Sequence, residues 1–539
     1  MLHLYFAILV ANTNPLVRYV QHIFRKDPFQ GIYVPNAFDL AILIPYFTIL
    51  IILSVYGIHR YYLTYLYLKN RGKLPKPAKQ FDELPRVTIQ LPIFNERYVI
   101  ERLLEAATRI DYPRERLEIQ VLDDSTDETV HIASRLVSEY AQAGYPVSYH
   151  HRTNREGFKA GALAEGMKKA TGEFIAIFDA DFVPPPNVIR EMVAYFTDPK
   201  VAVVQGRWTW INRQYSNLTE VEAILLDGHF VIEHGGRYST GRFFNFNGTA
   251  GMWRRAAIED AGGWEHDTLT EDTDLSYRAQ LKGWKFIYDP RITCPSELPV
   301  EMNAFKSQQA RWAKGLIQVA KKMLPVIWRS EQPRHIKIEA TFHLTANIAY
   351  PLMILFALIL LPAMIIRFYQ GWFQMLYLDL PLFVASTCSV SSFYMVAQRE
   401  LNPRGWWKSL RFIPFLMATG IGLAVTNAKA VIEALLGQQS EFVRTPKLRV
   451  EGREDNWERK KYLKRGGWIP AVELLLAVYF SFTAAYSVYA ENYLTTPFLM
   501  LFFMGYSYMG MMSLFQTPLR RLWSALPALL RPRAVEPAT

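Results

Sequence analysis

The chain has 539 residues, is 50% apolar and carries a formal net charge of +11. Its two cysteines, Cys294 and Cys388, are too few and too far apart for a disulfide framework or a thiolate metal site. Many of the basic residues flank apolar runs, where positive-inside topology and anionic lipid head groups account for them, so we expect membrane lipids and no nucleic acid as partners.

The first predicted elements are an N-terminal segment, 1–38, and one membrane span. Residues 2–11 are apolar but too short to span and lack signal-peptide features, so we expect them at the membrane interface. No charged residue occurs from 40 to 58, about the length that crosses the hydrocarbon layer, which predicts a transmembrane helix over 39–60. The linker 61–85 is more basic than the residues before the span, which places the domain that follows in the cytosol.

Residues 86–325 alternate β-rich runs with segments of helical spacing. The predicted strands are 87–91, 117–122, 174–178 and 201–205, and the segments between them include helices at 98–110 and 158–170. Such alternation predicts an α/β domain with a mostly parallel sheet. Ligands bind at the carboxyl ends of the strands in sheets of this kind.

The last part of the chain predicts four more membrane spans and one interfacial helix. Within 326–436 we expect spans at 342–367 and 372–396 and an interfacial helix at about 405–436, and within 468–516 spans at 468–490 and 494–516. If the apolar run 412–428 crossed the membrane, the basic loop 437–467 would lie outside, against the positive-inside rule. The loop 437–467 and the basic tail 517–539 are therefore predicted to be cytosolic.

A pair of aspartates follows the third predicted strand. Asp179 and Asp181 would reach the same side of the strand end, and their hard oxygen atoms suit Mg²⁺ or Mn²⁺ bridging to a diphosphate. An isolated Asp-x-Asp is a weak signal and is more often a solvated turn. Its place after a buried strand favours the metal site.

Three further clusters occur in order along the same region. They are Asp123-Asp124-Ser125-Thr126-Asp127, Thr270-Glu271-Asp272 and Gln308-Gln309-Ala310-Arg311-Trp312. Taken alone, the first two could simply cap helices and the third could be an interface helix with a tryptophan anchor. As a site, the first two offer carboxylates for binding a ligand, and the third offers a guanidinium for diphosphate and a flat apolar face for a sugar.

Together these motifs resemble the processive family 2 glycosyltransferases, which include cellulose, hyaluronan and mannan synthases. The resemblance covers about residues 85–325 and implies a nucleotide-sugar-binding domain of the GT-A type. The sequence from Phe243 to Gly251 is similar to the acceptor-side loop of cellulose-synthase-like A and C proteins. Phe442, Thr445 and Lys447 resemble a gating loop, although Arg444 and Pro446 depart from its usual residues.

The resemblance implies a role for each matching residue. Asp272 would be the catalytic base, and Asp179 and Asp181 would hold Mg²⁺ or Mn²⁺. The residues implied in nucleotide-sugar binding are Pro92, Asn95, Glu96, Asp123, Asp124, Lys159, Gln308 and Arg311. Those implied in acceptor binding are Trp312, Glu271, Asn247, Gly248 and Thr249.

The resemblance thus implies a multi-pass membrane enzyme with a cytosolic catalytic domain, in the cell membrane or, in a bacterium, the inner membrane. It would transfer a hexose from UDP-glucose or GDP-mannose, with inversion, to a growing β-glucan or β-mannan and extrude the product. A glycolipid synthase that glycosylates a membrane lipid and a catalytically inactive transporter or scaffold are the alternatives. The donor, the linkage, export partner subunits and the oligomeric state stay open.

Overall fold

The computed structural model describes residues 36–369, 381–382, 384–458, 460–463 and 467–525. Residues 1–35 of the N-terminal segment predicted over 1–38, the first part of the span predicted over 372–396 and most of the tail predicted over 517–539 lie outside these residues. Among the described residues, an α/β domain is followed by a helical region. The α/β domain determines where the candidate site lies.

One seven-stranded sheet forms the centre of the α/β domain, within the described part of the chain. Its strands are β1 (Val87–Ile93), β2 (Leu117–Asp123), β3 (Val147–His151), β4 (Phe174–Ile177), β5 (Val201–Trp210), β6 (Gly251–Arg254) and β7 (Lys285–Ser296). Their order across the sheet is β3-β2-β1-β4-β6-β5-β7. Only β6 runs antiparallel to its neighbours. The predicted α/β fold with a mostly parallel sheet is confirmed.

The helices of the α/β domain lie between the strands and after them. In chain order they are α2 (Ile100–Thr108), α3 (Thr129–Gln142), α4 (Phe158–Lys169), α5 (Val188–Val193), α6 (Asn217–Gly228), α7 (Gly235–Ser239), α8 (Arg255–Asp260), α9 (Glu271–Leu281) and α10 (Met302–Arg329), with α1 (Ala37–Lys69) preceding the sheet. A π-helical turn, His229–His234, joins α6 to α7. Helix α10 continues well past the Gln308–Trp312 cluster to Arg329, and its buried apolar residues extend as far as Ile327.

Alternation along the strands explains the two-sided core of this domain. Val87, Ile89 and Leu91 of β1 are fully buried and pack in the cluster on one face of the sheet. On the other face, Ile175 and Ile177 of β4 pack with buried aromatic residues. Because side chains alternate along a strand, each central strand contributes to both faces. The resulting rigid sheet holds its loops at fixed positions along one edge.

The remaining helices belong to the apolar region. They are α11 (Arg334–Thr345), α12 (Ala349–Tyr369), α13 (Ser389–Leu401), α14 (Ile413–Gly422), α15 (Ala424–Leu435), α16 (Ile469–Tyr489) and α17 (Thr496–Ala525). Four helical segments among the described residues are long and apolar enough to cross a membrane: Ala37–Lys69, Arg334–Arg367, Ile469–Tyr489 and Thr496–Gln516. They coincide with four of the five predicted spans.

The predicted interfacial helix at 405–436 is broken in the structure. Trp406–Gly422 and Ala424–Leu435 meet at a bend of 41° and are together apolar enough to be one broken span or a re-entrant loop. The bend separates the apolar part, α14, from α15, whose last turn reaches the α/β domain through Glu433 and Lys314. The interfacial placement of this segment therefore stays a prediction.

A buried ion pair fixes the beginning of α10 to two of the apolar helices. Lys306 Nζ donates hydrogen bonds to Glu473 Oε2 of α16 at 2.6 Å and to Ser513 Oγ of α17 at 2.7 Å. Lys306 and Glu473 are both buried. Because an ionised side chain is costly to bury without a partner, the pair ties α10 firmly to the helical region.

Candidate active site

A cavity of about 170 Å³ lies at the carboxyl ends of the central parallel strands. Six carboxylates and five cationic side chains line it: Glu96, Asp124, Asp179, Asp181, Glu271 and Asp272, with Arg155, Lys159, Arg311, Arg444 and Lys447. The loops after β1, β2 and β4 meet here because these strands are adjacent and parallel. So many opposed charges in one cavity are typical of a site for a charged, polar ligand.

The two aspartates after β4 each face a lysine. Lys159 Nζ lies 2.6 Å from Asp179 Oδ1 and donates to the Gly248 carbonyl oxygen at 2.9 Å. Lys447 Nζ lies 2.6 Å from Asp181 Oδ2. Burial disfavours the charge of Lys159, but the neighbouring carboxylates, Asp179 first, outweigh it and raise the lysine pKa. The aspartates therefore present their charge to the cavity together with two fixed cations.

Asp272, the predicted base, lies in the wall of the cavity. It lies in the first turn of α9 beside Glu271, and both line the cavity. Burial, and secondly the Glu271 carboxylate, raise the pKa of Asp272 to about 7. Burial also raises the pKa of Glu271. A carboxylate with a pKa near neutrality is suited to general base catalysis.

The backbone of Gly248 lies close to the Asp272 carboxylate. Its φ is +78°, and a Cβ at this position would lie 2.9 Å from Asp272 Oδ2 and 3.4 Å from Lys159 Nζ. Only glycine combines that backbone conformation with so close an approach. The loop residue predicted to contact the acceptor thus lies directly against the predicted base.

Another part of the cavity wall holds a group of paired charges. Arg152 donates to both oxygens of Asp124, from Nε at 2.8 Å and from Nη2 at 2.6 Å. Arg444 Nη1 lies 2.9 Å from Glu96 Oε2, as an ion pair rather than an aligned hydrogen bond. Burial raises the pKa of Glu96 to about 8, and Arg444 opposes that rise.

The Arg155 guanidinium stacks on the ring of Phe94 in the same cavity. The guanidinium carbon of Arg155 lies 3.5 Å from the ring centroid of Phe94, and both residues line the cavity. Arg155 Nη2 also donates to the Phe442 carbonyl oxygen at 3.3 Å. A flat guanidinium on a flat ring forms a platform of the kind that binds planar groups.

Helix α10 and the loop after α15 form a further part of the cavity wall. Gln308, Arg311 and Trp312 of α10 line the cavity, as do Phe442, Thr445 and Lys447 of the loop. The Arg311 guanidinium lies over the Phe442 ring, 4.4 Å from its centroid. Burial lowers the pKa of Arg311, while the carboxylates of the cavity counteract this effect.

Three residues predicted as ligands do not line the cavity. Asp123 is fully buried, and its oxygens accept from the Tyr149 hydroxyl at 2.6 Å and from the Ser125 amide at 2.7 Å. Thr249 Oγ1 accepts from the Asp179 amide at 2.9 Å. Asn95 Oδ1 accepts from the Thr126 amide at 2.8 Å. Their side chains are engaged in holding the loops that carry Asp124 and Asp179.

The structure also brings in residues that the sequence analysis did not select. Arg444, Arg155 and Phe94 line the cavity. His229 of the π-helical turn lies beneath it, with Nε2 2.9 Å from Asn247 Nδ2 and Nδ1 2.8 Å from Glu233 Oε2. Among these residues, only Arg444 could be noticed in the sequence, because it departs from the usual residues of the gating loop that this segment resembles. Nothing in the sequence indicated the others, because their contacts join segments far apart in the chain.

Comparison with known proteins identifies relatives along most of the chain. Residues 85–315 match the family model described as "Glycosyltransferase like family 2". Glucomannan 4-beta-mannosyltransferase 7 of Arabidopsis thaliana is 33% identical over 444 residues, which are 79% of this chain and 77% of the relative. Probable glucomannan 4-beta-mannosyltransferase 9 of Oryza sativa subsp. japonica is 33% identical over 458 residues, 81% of this chain and 84% of the relative.

Among solved structures, the chain is similar to a mannosyltransferase from Pyrobaculum calidifontis in complex with GDP-Man and Mn²⁺. It is 23% identical, with a TM-score of 0.46, and the match covers 68% of this chain and 99% of that one. The matches to the Arabidopsis and rice relatives cover about four fifths of the chain, a larger share than the α/β domain alone occupies.

Proposed function

The chain belongs to glycosyltransferase family 2 and to its cellulose-synthase-like branch, and from this we propose that it is a processive, inverting β-mannan synthase that uses GDP-mannose. The single observation that carries the proposal is the juxtaposition, in one cavity, of Asp272, the pair Asp179 and Asp181, and Trp312. Relatives that are glucomannan 4-beta-mannosyltransferases support mannose as the sugar and a β-linked backbone as the product.

On the donor side, the cavity binds a charged diphosphate between cations. Lys159, Arg311 and Lys447 are the side chains positioned to contact its oxygens. Their charges stabilise the negative charge that develops on the departing nucleoside diphosphate. The Arg155 and Phe94 platform, with Asp124 nearby, forms a surface against which the planar base can lie.

The carboxylates of Asp179 and Asp181 fit a divalent cation. They are hard oxygen donors separated by one residue, both line the cavity, and the donor set suits Mg²⁺ or Mn²⁺. When bound there, such an ion would supply further charge neutralisation for the leaving diphosphate. Lys159 and Lys447 form ion pairs with Asp179 and Asp181 and so stabilise the negative charge of these two carboxylates.

On the acceptor side, Asp272 removes the proton of the attacking hydroxyl. Gly248 and Asn247 bring the acceptor loop against this carboxylate, and Trp312 provides a flat face for the terminal sugar. The hydroxyl oxygen attacks the anomeric carbon from the side opposite the leaving group. An α-linked donor then yields a β-linkage.

A second cavity, of about 520 Å³, supports export of the product. It lies between α1, α12, α14 and α17 and follows α1 from Tyr46 to Leu63. That distance is roughly 26 Å at the rise of an α-helix, close to the thickness of the hydrocarbon layer. Aromatic side chains such as Tyr350, Tyr394 and Phe502 line it together with polar groups. We propose that the α/β domain faces the cytosol of the cell that carries the protein in its membrane, and that the polymer leaves through this cavity.

The test of this function is transfer by the full-length protein in a bilayer mimic. The protein is given radiolabelled GDP-mannose or UDP-glucose with Mg²⁺ or Mn²⁺ and no added lipid acceptor. We expect a high-molecular-weight product from GDP-mannose that a β-mannanase degrades. Label found only in organic-extractable glycolipid would overturn the polymer and favour a glycolipid synthase, and a β-glucanase-sensitive product from UDP-glucose would correct the sugar.

Lys447→Met is expected to slow transfer by about 100-fold, because it removes a cation from the oxygens of the leaving diphosphate. The rate of GDP-mannose turnover measures the effect. Lys461→Met is the matched control, since Lys461 belongs to the same loop but pairs with Glu128 at 3.0 Å outside the cavity. Equal rates for the two variants would contradict a role of Lys447 in the reaction.

A further inference from the structure

A π-helical turn, His229–His234, joins α6 to α7 within one continuous helix. Turns of this kind are rare and frequently occur at functional sites. Two of its side chains contact each other, with His229 Nδ1 2.8 Å from Glu233 Oε2. The other ring nitrogen, Nε2, lies 2.9 Å from Nδ2 of Asn247, in the loop predicted to contact the acceptor. A chain of two hydrogen bonds thus leads from Glu233 to the acceptor loop.

These hydrogen bonds connect the walls of the two cavities. Asn247 lines the catalytic cavity, and Glu233 lines the cavity between the apolar helices. Arg237, one turn further along the helix, also lines the second cavity, and its Nη1 lies 3.5 Å from Glu233 Oε2. Glu233 is therefore held between a histidine and an arginine.

The partners of His229 determine where its proton lies. Burial opposes the charge of Glu233, but Arg237 and then the His229 hydrogen bond outweigh burial and lower the pKa of this carboxyl group. An ionised carboxylate only accepts hydrogen bonds, so His229 Nδ1 donates. In the neutral ring, Nε2 then carries a lone pair and accepts from the Asn247 amide nitrogen. The histidine is thus fixed as the tautomer that can hold this carboxamide.

His229 orients the side chain of Asn247, whereas a different residue fixes its backbone. The backbone N–H of Asn247 donates to Gln205 Oε1 at 2.9 Å. Among the described residues, Asn247 Oδ1 has no hydrogen-bond partner, so the contact with His229 sets how the carboxamide is turned. Gly248, the next residue, lies so close to Asp272 that a Cβ would be 2.9 Å from Oδ2. An acceptor sugar whose hydroxyl reaches this carboxylate is therefore next to Asn247.

We propose that His229, held by Glu233, is a positioning residue that orients the Asn247 carboxamide for contact with the acceptor sugar. A side chain fixed in advance does not have to be ordered when the sugar binds, so the attacking hydroxyl is held closer to its reactive geometry. The inference deepens the proposed function and rests on it, because it requires a saccharide acceptor in the catalytic cavity.

The test compares His229→Phe with wild type as full-length proteins in a bilayer mimic. Phenylalanine keeps a ring beside Phe230 and His234 but cannot accept from the Asn247 amide. We expect sugar transfer to slow about three- to tenfold, the effect of one lost hydrogen bond. A larger fraction of the GDP-mannose should be hydrolysed to free mannose, because water does not need the oriented carboxamide. The Kd for GDP should stay within about twofold, since the cations that face the diphosphate are untouched.

A double-mutant cycle shows whether His229 acts through Asn247. Asn247→Ala should reproduce the slower transfer, and His229→Phe should then change the rate of the Asn247→Ala protein by no more than about twofold. A purely structural role of the histidine would instead give effects that add. His229→Gln retains a hydrogen-bond acceptor and should recover most of the transfer rate. If His229→Phe does not fold, His229→Met takes its place, because an unbranched side chain adapts to irregular space.

His234→Phe is the matched control. His234 belongs to the same turn and donates from Nε2 to the Asn245 carbonyl oxygen of the same loop at 3.0 Å. This variant loses a hydrogen bond between the same two segments without altering the one to Asn247. We expect its unfolding temperature to fall and its ratio of transfer to hydrolysis to stay near that of wild type.

The outcomes separate this inference from the proposed function. Wild-type protein that transfers no sugar from either nucleotide sugar would overturn the proposed function and the inference with it. Wild-type transfer and hydrolysis rates in a folded His229→Phe or His229→Met protein would overturn the inference alone. Additive effects in the His229→Phe/Asn247→Ala protein would overturn it as well.

Discussion

Replacing Asp272 by asparagine is expected to slow sugar transfer by about 10²- to 10⁴-fold, the usual contribution of a general base. Asparagine has the same shape but cannot accept the proton of the acceptor hydroxyl. Nucleotide binding should be nearly unchanged, because the cations that face the diphosphate are untouched. Transfer of labelled mannose and calorimetric titration with GDP measure the two effects separately.

The pH profile provides an independent check of the same residue. Because burial and Glu271 raise the pKa of Asp272 to about 7, the carboxyl group is protonated and inactive as a base below that pH. We expect kcat/KM to rise tenfold per pH unit below about 7 and to level off above it. Asp267→Asn is the control, since Asp267 is an exposed partner of Lys322. A profile that falls across this range, or an Asp272→Asn protein with near wild-type rates, would contradict the assignment.

The second large effect concerns stability. Lys306→Met is expected to lower the free energy of unfolding by about 3–5 kcal/mol, because it leaves Glu473 buried and without its counter-charge. The double variant Lys306→Met/Glu473→Leu should recover most of that loss, since neither residue then buries a charge. Thermal and denaturant unfolding in detergent measure the change.

The control for this pair is Lys321→Met on the same helix. Lys321 is exposed, so its replacement should change the free energy of unfolding by no more than about 1 kcal/mol. If Lys306→Met proved as stable as Lys321→Met, the ion pair would not be what fixes α10 to the apolar helices. A double variant no more stable than the single one would show that the two residues act separately.

The positions of the acidic motifs could be predicted from the sequence because they depend on local pattern. The β-rich runs before Asp123 and Asp179 predicted strands, and strand ends in a parallel sheet share one edge. The antiparallel strand β6, Gly251–Arg254, was not predicted, because it is only four residues long and its first residue falls in the segment that resembles a loop. Its direction follows from pairing with β4 and β5, which no local pattern specifies.

The distinction between groups that line the cavity and groups that support it could not be predicted. Asp123 and Asp124 are adjacent and chemically identical, yet only Asp124 faces the cavity. The alternation of side chains at the end of β2 places Asp123 against Tyr149 of β3, a partner known only from the fold.

Because α10 is bound to the apolar helices, the catalytic domain cannot simply be separated from the membrane region. The family match ends at 315, in the middle of a helix whose first turns are held by Glu473 and Ser513. A fragment that stops at residue 325 would keep Trp312 but would expose Lys306 and the apolar residues around it. Modular exchange of this catalytic domain between membrane regions would therefore require matched changes on both sides of that boundary, so the two parts are expected to have evolved as a unit.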